Sequence, residues 1–333
     1  MTFGEIFLFS FNAVMPIVLL ILLGYFLKRI KLLNDSFLST ANKFVFNSAL
    51  PCLLFFNVYN IGGLGEVQWS TVAFAVGVIL LLFVAGLVYS VFFVKENRQK
   101  GVVWQSFFRS NFAIIGLPLS QALGGAEGIA TASILSAFSI PLFNALAAIA
   151  LSVFVTGEGK NKISVKDIIL RVVKNPLIIG VFAGFAVLGV RSLIPAGAFS
   201  IKADLPFIYD FFDMFSDIAS PLALVVLGGQ FRFDAVKKLR KQIVPAVVAR
   251  IVFAPALGIV LAIIMSDYLN FTAAHYASFV ALFGSPVAVS SAIMAQQMDN
   301  EGQLANQILV WTSIFSVFTV FITVTVLKYM AII

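Results

Sequence analysis

Asn111-Phe-Ala-Ile-Ile-Gly-Leu-Pro118 and Phe283-Gly-Ser-Pro286 are proline-bearing segments inside long apolar runs, at matching places in the two halves of the chain. A helix break in hydrocarbon frees backbone N–H and C=O groups that lipid cannot satisfy. An interrupted span therefore persists only against protein or a water-filled cavity. Two such breaks in corresponding repeats point to the substrate site of a membrane carrier.

Composition sets the same class. With 61% hydrophobic residues, 11% charged residues and a mean hydropathy of +1.04, the 333-residue chain has too little polar surface for a soluble protein. The 36 Phe residues recur in every apolar block and suit helix-packing and lipid-facing surface. The net charge of +7 comes from basic residues in short loops, which topology explains without a nucleic-acid partner. The single Cys52 excludes an intramolecular disulfide. The lone His275 has no neighbours at ligand spacing, so a capping or interfacial role is expected and neither metal nor cofactor is implied. The first apolar block begins near Ile6 without a basic leader or a small-residue cleavage site and reads as a retained span.

Apolar stretches long enough to cross a bilayer, about 20 residues each, fall at 6–27, 37–59, 68–94, 102–124, 127–155, 176–194, 207–230, 243–265, 271–297 and 303–331. Lys and Arg concentrate in alternate loops: Lys28, Arg29 and Lys31; Lys95, Arg98 and Lys100; Lys160, Lys162, Lys166, Arg171 and Lys174; Arg232, Lys237, Lys238, Arg240 and Lys241. These loops are expected on the cytoplasmic side of a bacterial inner membrane, with both termini outside. Lys43, Arg109 and Arg250 fall inside apolar blocks towards that side, where snorkelling is the default expectation.

The halves share landmarks in one order. Pro16 to Gly24 parallels Pro176 to Gly184, Pro51 parallels Pro221, Pro118 parallels Pro286, and Glu127-Gly128 parallels Glu301-Gly302. The expected fold is an all-α polytopic membrane protein of ten transmembrane helices, built as two five-helix repeats over 1–156 and 176–333 with a linker at 157–175. An odd number of spans per repeat inverts the second. A plainer reading, in which the prolines only kink two helices, stands beside it.

A helix restarting at Gly116-Leu117-Pro118, and another at Ser285-Pro286, would each present free N–H groups and about half a positive charge. Such ends suit a carboxylate. Asn111, two turns before Pro118, can donate and accept, either to freed backbone or to substrate. Gln121, Gln296 and Gln297 are further polar candidates. Asn47 and Asp217 each stand four residues before a repeat-related proline. A carboxylate at depth costs on the order of 3 kcal/mol. Two roles are open for Asp217, proton coupling or pairing with a buried cation. Arg109, two residues from Asn111, is the candidate to attract anions.

These residues resemble the auxin efflux carrier family, whose bacterial members include malate-permease-like proteins. The matches are Asn175-Pro-Leu-Ile-Ile-Gly180, the Asn111 to Leu119 segment, Ser216-Asp217 ahead of Leu227-Gly228, and Pro286 to Ala295. The resemblance implies a carrier similar in fold to bile-acid symporters and sodium/proton antiporters, with interrupted helices 4 and 9 crossing at their prolines. It also implies a scaffold of helices 1, 2, 6 and 7, often dimeric, and a transport domain of helices 3–5 and 8–10. Asn111, Pro118 and Pro286 become site residues by this resemblance. The short loop from Gly157 to Lys174 and Leu54 in span two set the chain apart from plant hormone exporters.

The expected function is secondary transport of small organic anions, with dicarboxylates such as malate among the candidates, by alternating access. A sodium- or proton-coupled carrier of neutral or sterol-like solutes is the competing reading. An enzyme is disfavoured because no nucleophile or metal constellation is present in the sequence. The absence of a Walker-type Gly-x-x-x-x-Gly-Lys-Ser/Thr motif speaks against ATP as the energy source.

Overall fold

Proline shapes much of the irregular backbone. Three π turns each stand just ahead of a proline: Val45–Ala49 before Pro51, Phe112–Gly116 before Pro118, and Ala249–Phe253 before Pro255. Leu50, Leu117 and Ala254 donate their N–H groups five residues back, to Val45, Phe112 and Ala249. Proline lacks an N–H and its ring crowds the carbonyl four residues back. The wider turn accommodates both.

The computed structural model describes residues 3–59, 68–155, 166, 169–170, 173–193, 200–231 and 233–333. Among these the chain is all-helical. Its helices are α1 (Phe3–Arg29), α2 (Asp35–Phe44), α3 (Leu50–Tyr59), α4 (Trp69–Phe93), α5 (Asn97–Phe108), α6 (Leu117–Val153), α7 (Pro176–Leu193), α8 (Ile201–Asp204), α9 (Pro206–Asp217), α10 (Ala219–Gln230), α11 (Phe233–Val248), α12 (Ala254–Leu269), α13 (Ala273–Gly284), α14 (Val289–Gln297) and α15 (Gly302–Tyr329). Most of the expected linker at 157–175 lies outside the described residues, as do Lys160, Lys162, Arg171 and Arg232.

Among the described residues five helical stretches are long and apolar enough to cross a membrane: Trp69–Phe93, Phe112–Val153, Pro206–Gln230, Val236–Leu269 and Gly302–Tyr329. Pro176–Arg191 and Ala273–Gly284 are shorter apolar helices. The chain is thus a multi-pass membrane protein, as its composition requires.

Close backbone approach joins the halves. Gly24 of α1 faces Val225 of α10 and Gly228 faces Ile21, and a Cβ on either glycine would overlap the opposing carbonyl. The reciprocal pair packs in the same way, Gly180 of α7 against Pro51 and Gly184 against Phe55 and Val58 of α3. Lipid gives helices no hydrophobic reason to associate, so small residues that permit such contact carry the packing.

The expected spans 102–124 and 127–155 meet at a reversal inside α6. Gly125 adopts φ 59° and ψ −145°, a region a Cβ disfavours. The reversal is tight enough for Ser120 Oγ to donate to the Gly128 carbonyl at 2.9 Å. Ser278 of α13 donates to the same carbonyl at 3.1 Å and ties the hairpin to the second half. At another end of the molecule Glu301 donates its N–H to the Arg98 carbonyl at 2.9 Å, and Arg98 Nε donates to the Asp299 carbonyl at 2.8 Å. The acidic loop before α15 therefore lies on the same side as the basic loop before α5.

Candidate functional site

Two helices stop short in the interior and their chains meet. α5 ends at Phe108 and α13 at Gly284, and the short stretches that follow are extended rather than helical. Asn111 donates its N–H to the Pro286 carbonyl at 2.8 Å, and Ser110 pairs with Val287 in an isolated antiparallel bridge. Val287 donates its N–H to Thr312 Oγ1 of α15 at 3.3 Å. The freed backbone groups thus find partners in each other and in a third helix, which is what makes a break tolerable inside a membrane.

The restarts fall elsewhere than the sequence suggests. The first helix resumes at Phe112, directly after Asn111, so Pro118 lies beyond the break and is exposed. Gly116 is buried where a Cβ would strike the Phe112 ring. The second helix resumes at Val289 with Ala288 as its N-cap, leaving Pro286 in the extended segment. Ser285 Oγ donates to the Ala281 carbonyl at 2.6 Å and closes the preceding helix instead of capping the next. Proline needs only a place for its missing N–H. The position of each break follows from where the two chains can pair.

Against this crossing lies a cavity of about 50 Å³. Ala113 and Ile114 from one restarted helix and Val289 and Ser290 from the other line it, so both N-terminal ends face the same space. The first N–H groups of a helix have no partner within it and carry partial positive charge. Asn111 also lines the cavity; it is 4% exposed and its Nδ2 has no hydrogen-bond partner among the described residues. Two larger grooves, of about 490 and 350 Å³, carry no charged side chain.

Arg109 supplies the full charge at the cavity. It is 1% exposed, where snorkelling was expected. Its Nη1 donates to Gln105 Oε1 at 3.0 Å and to Met294 Sδ at 3.2 Å. Its Nη2 donates to Asn144 Oδ1 at 2.7 Å and Ser290 Oγ at 3.0 Å. All four acceptors are neutral, and no carboxylate pairs with it among the described residues. These ligands come from α5, α6 and α14, so both halves fix the guanidinium. Arg250 is likewise fully buried rather than snorkelling, whereas Lys43 is exposed.

Other candidates lie outside the cavity. Asn47 is exposed and donates Nδ2 to the Lys43 carbonyl of the preceding turn at 2.8 Å. Asp217, expected to be deep, is exposed at the end of α9 and has no basic partner among the described residues; Ser220, three residues on, lines the cavity. Gln121 is exposed and Gln297 half-buried. Gln296 accepts from Asn42 Nδ2 at 2.6 Å and donates to Asn306 Oδ1 at 3.1 Å. His275 takes the capping role expected of it, its Nδ1 accepting the Thr272 N–H at 3.0 Å.

Sequence reasoning passed over Gln105, Asn144, Ser290 and the burial of Arg250. Asn144 had a readable signal as the lone amide in span five, three residues after Pro141. Gln105 and Ser290 had none, since their importance comes from an arginine reached through the fold.

The family model described as membrane transport protein matches residues 9–324, nearly the whole chain. An uncharacterized transporter from Methanothermobacter thermautotrophicus is 26% identical over 159 residues, covering 46% of this chain and 51% of that protein. The chain spans about half the length of this curated relative.

Proposed function

The chain belongs to the auxin efflux carrier family of membrane transport proteins, and from that premise we propose that it is a secondary carrier of small organic anions, dicarboxylates such as malate among them. One observation carries this reading. The crossing gathers a buried guanidinium and an Asn111 Nδ2, the first with no carboxylate partner and the second with no hydrogen-bond partner among the described residues, together with two helix N-termini around one cavity. A buried unpaired cation is costly, and an incoming carboxylate would offset that cost while accepting the free N–H groups. Asn111, Arg109 and Ser290 are the groups that meet the anion; Pro286 orders the segment opposite, and Gly116 and Ser285 fix the flanking turns.

At about 50 Å³ the cavity has room for a few waters and not for a dicarboxylate. Transport then requires the walls to separate, in keeping with a transport domain of spans 3–5 and 8–10 that moves against a scaffold of spans 1, 2, 6 and 7. Ten spans in two inverted repeats are supported by the reciprocal contacts of α1 with α10 and α3 with α7, and by the antiparallel meeting of the two breaks. The concentration of Lys and Arg in alternate loops supports an inner-membrane topology with both termini outside. The scaffold is also the proposed dimer face, and the proposed coupling role of Asp217 rests on its place one turn from the cavity-lining Ser220.

Melting of the purified protein with added malate, succinate, lactate or choline tests the substrate class. The reading expects the dianions to raise the melting temperature most, followed by labelled-malate uptake in proteoliposomes. No stabilisation by any anion would refute it.

A further inference from the structure

Arg250 stands in the π turn Ala249–Phe253, on neither interrupted helix, and is 0% exposed. The turn belongs to Pro255, so the proline that distorts this helix sets the direction in which Arg250 points. Its Nε donates to the Ser285 carbonyl at 2.9 Å. Its Nη2 donates to the carbonyls of Leu282 at 3.2 Å and Phe283 at 2.6 Å, and Nη1 to that of Phe107 at 3.4 Å. Each acceptor is a main-chain oxygen at or just beyond the C-terminal end of an interrupted helix, three from α13 and its exit and one from α5. No carboxylate neutralises the guanidinium among the described residues.

Helix C-termini carry orphan carbonyls and partial negative charge, so several of them converging from two chain segments make a cation site. In carriers with broken helices, unwound carbonyls and half-helix C-termini are where a coupling cation is coordinated. Here the chain's own guanidinium occupies that position. We propose that Arg250 is a tethered resident cation that replaces a bound alkali-metal ion at the crossing, so that the site assembles and the carrier cycles without sodium or potassium. This inference rests on the crossing being the transport site. A tethered cation cannot be released at either face, so it contributes no gradient energy. It acts as a positioning residue, holding the two C-terminal ends together so that the extended segments and the N-termini beyond them stay fixed at the cavity. In the proposed division, Arg250 and all of its acceptors belong to the moving domain, and the clamp travels intact.

The test compares melting of the wild-type protein, Arg250→Ala and Arg250→Lys in sodium, potassium or choline chloride at equal ionic strength, with and without millimolar guanidinium. The wild type should melt at one temperature in all three salts. Arg250→Ala should melt several degrees lower and regain at least half of the loss with guanidinium or sodium, but not with choline. Arg250→Lys, with three donors for four carbonyls, should fall between and respond less. A wild type stabilised by sodium over choline overturns the proposal, as does an alanine variant indifferent to the cation. If the alanine variant does not fold, the wild-type and lysine responses decide. Wild-type malate uptake should also be unchanged when choline replaces sodium on both sides. Failure of malate to move at all would count against the substrate reading alone, because the melting comparison needs no substrate.

Discussion

Replacing Arg109 with Gln separates electrostatic substrate binding from fold stability. The guanidinium lines the cavity, and a carboxylate seated there would lie about 5 Å from its charge, worth about 3 kcal/mol at an effective dielectric near 20. That corresponds to roughly a 200-fold loss of anion affinity. Stability moves in two opposing directions. Gln105 Oε1, Asn144 Oδ1 and Ser290 Oγ lose a charged donor, at about 1–3 kcal/mol each if left unsatisfied. Against this, an unpaired buried cation disappears, relieving a desolvation penalty of about several kcal/mol. The two nearly cancel, so Arg109→Gln should fold and melt close to the wild type while losing malate-dependent stabilisation and uptake. Arg109→Lys keeps the charge but not the planar fork that reaches Asn144 and Ser290, and should bind with intermediate affinity. Anion titrations followed by melting temperature, on all three proteins in one detergent, give both quantities. A glutamine variant with wild-type anion affinity would refute a charge-based site at the crossing.

Asn111→Ala keeps the main-chain bond to Pro286 and deletes an amide whose Nδ2 has no partner among the described residues, so it should insert and melt normally yet lose about tenfold in anion affinity; wild-type uptake by this variant would remove Asn111 from the site. Gly125→Ala meets no neighbouring atom, so its cost is backbone strain alone, about 1–3 kcal/mol, visible as lower thermal stability with unchanged substrate affinity. Gly228→Ala drives a Cβ into the Ile21 carbonyl and should separate α1 from α10, lowering melting temperature and membrane yield more than Gly77→Ala, which meets nothing.

Membrane residence and family membership were legible because both are written in composition and in the order of short motifs. The crossing was legible in outline. Asn111 and Pro286 do meet, although the first break lies at 109–111 and not at Pro118, since the backbone groups freed by a break choose their position by finding partners on another chain segment. Asn47 and Asp217 followed repeat arithmetic to points outside the cavity. Repeat position specifies depth along a helix but not which face a neighbour covers.

What the sequence determined by itself was the solvent. A chain this apolar must enter lipid, and its prolines must interrupt or widen helices there, because these are properties of residues taken one at a time or in short runs. Only the tertiary structure decided the fate of the two arginines. Snorkelling depends on whether water lies within reach of the side chain, and that depends on the helices packed around it. Gln105, Asn144 and Ser290 close over Arg109, and the carbonyl ends of α5 and α13 close over Arg250. Residues far apart in the chain thereby turn two cationic side chains from surface anchors into buried charges at the crossing.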